Sequence, residues 1–378
     1  MRIGLIGCGN VGVNAHIPAA QANEGLTIVA AADPTPERLQ AAEAAAGLGP
    51  DDLHADWRQL IARADVEAVI VATPQRFRRE VVIAAASAGK HVLAEKPLAL
   101  TPADARAMID AAREHGVTLA TVHNYHFMPV YRDIKEVLDS GEIGQPEIAV
   151  LNYLGVEDRP GAVAYSPRWR HRAADSGGGV LMDMLHVVYL ANWFMDGPPL
   201  AVSAWVDRRL EGDGDVEDIA LVRYVYENGQ ALINMAWGVG PGGVEIGGTR
   251  GRVVMTNRDF GTHPFVPAAR LDVVAESGSR SWTPRDAVAY GMAGIVGDFR
   301  DAVAANVEPI ASGESGLRVL DAVLGAYVSG ALGDEVALPL PDDHPVYAKG
   351  SAGIGDLDLP DRSPVLRRCL FGVNQAQA

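Results

Sequence analysis

Cysteine is almost missing: 378 residues hold two, Cys8 and Cys369. Two thiols do not make a disulfide framework, and Cys8 lies inside a glycine turn, so a reducing, cytoplasmic setting is expected. Positive charge is also short. Against 48 Asp and Glu stand 32 Lys and Arg, a formal net charge of −16. An acidic surface repels phosphate backbones and anionic lipid, so neither nucleic acid nor a membrane is an expected partner. No uncharged apolar run reaches the ~18 residues that cross a bilayer. The first residues read as a strand rather than a leader, so no signal peptide is expected. Low-complexity stretches are few. What remains is a globular chain with 48% hydrophobic residues, too long for one core and suited to two domains.

The most legible stretch is the first, Met1-Arg2-Ile3-Gly4-Leu5-Ile6-Gly7-Cys8-Gly9-Asn10-Val11-Gly12. A short apolar run enters a Gly-x-Gly-x-x-Gly turn. Residues 13–23 then read as a helix, and residues 26–32 as a second strand ending at Asp33. Glycine triplets are common, but this strand–turn–helix–strand context is the one a dinucleotide site requires. Gly7 permits the tight turn, Gly9 a close backbone approach to a pyrophosphate, and Gly12 close packing of helix on strand. Asn10 and Val11 lie where the helix N-terminus offers N–H groups to phosphates. Asp33 falls at about the ~20-residue interval where an acid accepts from the adenosine ribose. Its charge repels a 2′-phosphate, and Pro34, Thr35 and Pro36 follow without an Arg. NAD is therefore expected in preference to NADP.

Residues 1–123 alternate apolar strand-like runs (2–7, 26–32, 68–72, 91–94 and 117–122) with Ala-rich, charged, helix-like segments (37–46, 57–64, 77–88 and 102–115). Thr101 reads as an N-cap ahead of Pro102 and Asp104. This pattern predicts an α/β Rossmann domain with a doubly wound parallel sheet. From Asn124 the texture changes. Residues 131–138 read as a helix. The segments 147–154, 201–209, 218–226, 230–237 and 252–256 read as strands, with a hairpin signal at Glu227-Asn228-Gly229. Residues 290–306 and 316–332 read as late helices. Residues 124–378 are thus expected to form an α+β domain with a large, mostly antiparallel open sheet, its tail from about 339 wrapping the surface. The free face of such a sheet needs a cover, and a homodimer or homotetramer built through it is expected.

Two further stretches can carry chemistry. Ala94-Glu95-Lys96-Pro97 follows a buried-type strand, on the carboxyl edge where ligands bind in open α/β sheets. Lys96 there could hold an alkoxide or relay a proton, or could be a surface lysine in a turn. Gly177-Gly178-Gly179 runs into an apolar segment holding Asp183 and His186. Three apart on a helix, these two would share a face. His186 could then be an acid–base group, or a core histidine beside a capping Asp. His123 and His126 lack a third ligand at a recognisable spacing, so no metal is expected. Arg168-Trp169-Arg170-His171-Arg172 suits a loop over a cleft, with Trp169 able to stack on a sugar, or a solvated loop.

Taken together these stretches resemble the glucose–fructose oxidoreductase / inositol dehydrogenase (Gfo/Idh/MocA) superfamily. The resemblance rests on Gly7-x-Gly9-x-x-Gly12 with His16 and Pro18; Ala72-Thr73-Pro74; Ala88 through Glu95-Lys96-Pro97; Asn124 through Phe127 and Pro129 to Tyr131; Ser140-Gly141-Glu142-Ile143-Gly144; Trp169-Arg170; and Ser176-Gly177-Gly178-Gly179 with Asp183 and His186. It implies an NAD-dependent dehydrogenase of a sugar, glycoside or cyclitol hydroxyl, with Lys96, Asp183 and His186 catalytic. Thr73, Pro74, Glu95 and Lys96 would line the cofactor together with the glycine turn and Asp33. Asn124, His126, Tyr153, Trp169 and Arg170 would contact the substrate with the catalytic trio, and Glu157, Asp158 and Tyr165 are further candidates. Alternatives are an NAD-recycling, glycoside-cleaving enzyme of the same superfamily and a catalytically dead NAD-binding protein. The chain departs from the family in three places. Two residues rather than three separate Asp183 from His186. Gln75 and Arg78 follow Thr73-Pro74 where the family often has Asn and His. His126 replaces the family's Arg.

Overall fold

The computed structural model describes residues 1–156, 168–209, 214–238, 240, 242–257, 268–284, 288–360 and 370–372. Cys369, Glu157, Asp158 and Tyr165 lie outside these residues. The chain forms two compact units. The first holds Met1–Ala99, Ala103–Met128 and Ala289–Leu317; the second holds Leu100–Pro102, Pro129–Val288 and Arg318–Ala378.

The first unit is built on a parallel six-stranded sheet: β1 (Arg2–Ile6), β2 (Thr27–Ala32), β3 (Leu53–His54), β4 (Ala68–Val71), β5 (His91–Ala94) and β6 (Leu119–Thr121). The order is β3-β2-β1-β4-β5-β6. Ile3, Leu5, Ile70, Val71, Leu93 and Ala94 are wholly buried, as expected of strands covered on both faces. The order reverses between β1 and β4, the switch point where an open α/β sheet forms its crevice. Three turns leave this carboxyl edge: the glycine turn after β1, Thr73-Pro74 after β4, and Glu95-Lys96 after β5. The sequence pattern misses β3, which is only two residues long.

The helix expected over 13–23 forms in two pieces, a π-helical turn at Gly12–His16 and an α-helix at Ile17–Gln21. Later in the chain, the helix Val288–Ala305 joins the core of this unit. Its Ile295, Val296 and Phe299 are buried in one cluster with Ile17, Ala20 and Val122. Asn23 Nδ2 donates to the Ala293 carbonyl (2.9 Å), and Gly294 lies so close to the Phe127 ring that no Cβ would fit.

The second unit carries a nine-stranded sheet: β7 (Pro146–Val156), β8 (Ala201–Asp207), β9 (Ile219–Tyr226), β10 (Gly229–Trp237), β11 (Gly242–Gly248), β12 (Gly251–Asn257), β13 (Ala268–Ala275), β14 (Gly278–Trp282) and β15 (Val336–Ala337). The order is β14-β13-β12-β11-β7-β10-β9-β8-β15. Every neighbouring pair is antiparallel except β7 with β10. Alternation sends Leu151, Tyr153, Tyr224, Ile233, Met235, Val253 and Leu271 to a buried face. The helix Gly313–Leu332 helps cover it, with the Tyr224 hydroxyl donating to the Ala322 carbonyl (3.0 Å). Ile148, Leu221 and Val274 point to the other face and stay exposed. Beyond residue 339, Val346, Ile354, Leu370 and Phe371 turn inward and are buried. Among the described residues no helix is long and apolar enough to cross a membrane.

Candidate active site

In the glycine turn each of the three glycines meets a different demand. Gly7 adopts φ +96°, and a Cβ there would collide with the Ala72–Thr73 backbone. A Cβ on Gly12 would collide with the Gly7 carbonyl, so the first turn of helix sits directly on the strand end. Gly9 has open space where its Cβ would lie, which suits close approach of a ligand to its backbone. Asn10 and Val11 are exposed at the head of the helical turn. Asp33 is buried, with Oδ2 accepting the Cys8 N–H (2.9 Å) and Oδ1 the Thr35 N–H (2.9 Å). The Asp33 carboxyl is thereby tied to the glycine turn. Arg38, more than half exposed, comes within 3.9 Å of Asp33; its spacing of five from Asp33 hid it from the sequence reading. Burial first, then the Asp33 charge, push the Cys8 thiol up to about 12, leaving it protonated and inert. Anionic acceptor, helix-head N–H groups and uncrowded Gly9 together fit an adenine dinucleotide.

The Thr73 and Lys96 turns are tied together. Arg78, buried in the helix Gln75–Ser87, donates Nη2 to the Thr73 carbonyl (2.7 Å) and Nη1 to the Pro97 carbonyl. Burial lowers its pKa to about 10, against the charge of Glu95, so it stays cationic. Pro74 is exposed ahead of that helix. Glu95 is buried; its Oε1 lies 2.8 Å from His16 Nε2, and its Oε2 accepts the Lys96 N–H (3.1 Å). Burial alone would raise Glu95, but the His16 hydrogen bond and the charges of His16, Lys96 and Arg78 hold it below the ordinary carboxylate value. Lys96 is half-buried, its backbone gripped on one side through Glu95 and on the other through Pro97. After β6 comes a 3-10 turn, Asn124–Phe127. Asn124 is buried, and the His126 ring packs 5.0 Å from that of Phe127. Burial, then the Lys96 charge, drive His123 down to about 3, so its imidazole is neutral at working pH. Among the described residues no group of three or more His, Cys, Asp or Glu could hold a metal ion.

In the second unit, Gly177 takes φ +80° to end the short helix Ala173–Ser176, and a helix resumes at Val180–Asp183. The helix expected to carry both Asp183 and His186 is broken. Val180–Asp183 ends at Met184 (φ −97°, ψ 26°), and the next helix, His186–Phe194, starts at the histidine itself. The two residues therefore stand at the end of one helix and the start of the next. Asp183 is half-buried and His186 buried. Trp169 and Arg170 lie half-buried in the 3-10 turn Arg168–His171, with the Arg170 guanidinium 5.6 Å from the centre of the Trp169 ring. Tyr153 lies in the core beside Tyr131, hydroxyl to hydroxyl at 2.6 Å, and burial pushes Tyr131 up to about 12. Lys96, Asn124 and His126 thus belong to the first unit. Tyr153, Trp169, Arg170, Asp183 and His186 belong to the second.

Sequence reasoning did not assign roles to Arg78, Arg38 or Glu217, and knew His16 only as part of the family pattern. Arg78 stands among Arg76, Arg79 and Glu80, and Glu217 between Asp215 and Asp218, so neither could be told from its charged neighbours in the sequence.

A glycine turn and a ribose-seeking acid at the switch point of a parallel sheet are the marks of a dinucleotide enzyme, and the chain is an NAD-binding oxidoreductase acting on CH–OH groups. More particularly, it belongs to the Gfo/Idh/MocA family. Residues 1–123 match the model of the oxidoreductase family's NAD-binding Rossmann fold, and residues 131–254 match that of the GFO/IDH/MocA C-terminal domain. The 1,5-anhydro-D-fructose reductase of Ensifer adhaerens is 31% identical over 341 residues, covering 88% of this chain and 97% of its own. The D-apiose dehydrogenase of Paraburkholderia graminis is 27% identical over 92% of this chain and 93% of its own. A levoglucosan dehydrogenase solved with NADH and levoglucosan superposes with a TM-score of 0.79 at 26% identity, over 90% of this chain and all of that one.

Proposed function

We propose that the protein oxidises one hydroxyl of a sugar, glycoside or cyclitol, or reduces the matching ketone, and that Lys96, Asp183 and His186 carry the chemistry. Bound NAD supplies the acceptor for the hydride on the hydroxyl-bearing carbon. The Gly7–Gly12 turn holds the pyrophosphate through backbone N–H groups, and Asp33 holds the ribose. Thr73, Pro74 and Glu95 line the nicotinamide end. His186 takes the hydroxyl proton, because imidazole exchanges a proton readily near neutral pH, and Asp183 balances the charge that the ring gains. The Lys96 ammonium stabilises the oxygen as negative charge grows on it. Reduction uses the same groups in reverse.

The observation that carries this reading is the double grip on Lys96. Glu95 and the Arg78–Pro97 contact anchor its backbone at the carboxyl edge of a dinucleotide sheet. A merely solvated lysine needs no such anchoring. The exposed Ile148, Leu221 and Val274 on one face of the nine-stranded sheet further support a homo-oligomer.

The test is Lys96→Ala, assayed with NAD on myo-inositol and levoglucosan and with NADH on 1,5-anhydro-D-fructose, the compounds named for relatives. Loss of kcat by about 10²–10⁴-fold is expected, with NADH affinity, read by fluorescence, little changed. Near-wild-type turnover in the variant would remove Lys96 from the site. Substrate conversion without net NADH change would point instead to internal recycling of the cofactor.

A further inference from the structure

Glu217 is a carboxylic acid with no exposed surface, just ahead of β9. The reaction outlined above does not use it. Its surroundings are nevertheless built around it. Oε2 accepts the Gly179 N–H (2.7 Å), and Oε1 accepts both the Leu181 N–H (2.9 Å) and the Tyr327 hydroxyl (2.8 Å). Its main-chain carbonyl accepts the Val180 N–H (3.2 Å). Three successive N–H groups at the head of the helix Val180–Asp183 thus converge on one residue 36–38 positions away. The first N–H groups of a helix have no partner inside it, and an ordinary cap satisfies one of them from a neighbouring side chain. Here no side chain of the helix's own cap does so.

The triple glycine answers to the same residue. A Cβ on Gly179 would overlap the Glu217 backbone, and a Cβ on Gly178 would overlap the Tyr327 ring and hydroxyl. Gly178 and Gly179 are therefore spacers that let Glu217 and Tyr327 reach the helix head. Beyond that head the chain has one short turn before Asp183 and two residues more before His186, so any shift of residues 179–181 passes directly to both.

We propose that Glu217, braced by Tyr327, is a positioning residue for the Asp183–His186 segment: it fixes where the two side chains stand without touching the substrate. The proposal rests on the assignment of Asp183 and His186 as catalytic groups. Glu217→Gln keeps the volume but turns an NH2 group toward a backbone donor that needs an acceptor. Tyr327→Phe removes only the brace.

Both variants would be assayed with the fastest of the three compounds named above, alongside NADH binding, thermal unfolding and amide hydrogen exchange. The expected result is a kcat lower by about 10–100-fold in Glu217→Gln and by a few-fold in Tyr327→Phe, with NADH affinity unchanged and KM moved less than kcat. Exchange at Gly179, Val180 and Leu181 should accelerate in Glu217→Gln while the β9–β10 amides stay protected. An unchanged kcat in folded Glu217→Gln would overturn the proposal, as would a loss that merely tracks the folded fraction. If Glu217→Gln does not fold, Tyr327→Phe decides: wild-type kcat and exchange there would overturn it. If wild type turns over none of the three compounds, amide exchange still reads the effect of Glu217 on the segment. Selective acceleration then upholds the positioning and sinks the assigned chemistry; no acceleration sinks the positioning as well.

Discussion

Asp33 works in two directions at once. Its oxygens accept from Cys8 in the glycine turn and from Thr35 beyond β2, so the carboxylate proposed to hold the ribose also holds the glycine turn proposed to cradle the phosphates. Its charge opposes a 2′-phosphate, while the Arg38 guanidinium at 3.9 Å would welcome one. Asp33→Ser should weaken NAD binding by about ten-fold or more and lower the preference for NAD over NADP by a similar factor, since the repulsion goes and Arg38 remains. Titration of the variant with both reduced cofactors checks this; an unchanged ratio would mean that Arg38, not Asp33, sets it. Arg78 ties the turns after β4 and β5 together. A planar cation with donors in a fork ties two carbonyls, those of Thr73 and Pro97, at once. Neither pairing could be read from the chain, because Arg78 and Pro97 lie 19 positions apart and His16 and Glu95 lie 79 apart. Local patterns such as the glycine turn, Asp33 and Glu95-Lys96-Pro97 were legible because their meaning depends on spacing within one strand–turn–helix unit.

At the scale of elements, the helix head at Gly179–Leu181 couples to pH through its support. Burial pushes Glu217 from its usual 4.5 up to about 7, against the Leu181, Tyr327 and Gly179 hydrogen bonds. The folded state therefore holds this proton more tightly than the unfolded chain does. The resulting stabilisation is fully present below pH 4.5 and is lost as pH rises through about 7. Glu217→Gln has no such proton. The stability difference between wild type and variant should thus change by on the order of 3 kcal/mol across that interval, against the wild type as pH rises. Denaturant midpoints of both proteins at several pH values check it; parallel curves would contradict it. Elements also mark where sequence patterning runs out. The five longer strands of the first sheet and five of the second announced themselves by apolar runs or alternation. β11, Gly-Gly-Val-Glu-Ile-Gly-Gly, and β14, Gly-Ser-Arg-Ser-Trp, are poor in β-formers and exist because neighbouring strands offer them a ladder. The break at Met184–Leu185 was equally hidden, since periodicity reads straight through a short kink.

At the scale of the whole molecule, the nine-stranded sheet leaves one face with Ile148, Leu221 and Val274 at 46%, 40% and 45% exposure. Between them lie the Asn152–Asn234 side-chain pair (2.8 Å) and the Arg252–Glu245 ion pair. Apolar area interleaved with satisfied polar pairs suits a second copy of the same surface. A double substitution, Ile148→Glu with Leu221→Glu, should dissociate the proposed homo-oligomer in size-exclusion chromatography with light scattering while leaving NADH binding intact. A monomeric wild type would contradict this directly.

Threading matters at this scale too. The first unit is completed only when the chain returns with Ala289–Leu317, after the whole of Pro129–Val288 has been laid down in the second. During synthesis, Ile17, Ala20 and Val122 must therefore wait for Ile295, Val296 and Phe299 to emerge. The nucleotide-binding half is the first to be begun, yet it is finished only after most of the second unit has been made. A chimera joined after residue 123 would set a foreign sheet against the native helix Val288–Ala305, so an exchangeable cassette must carry both segments.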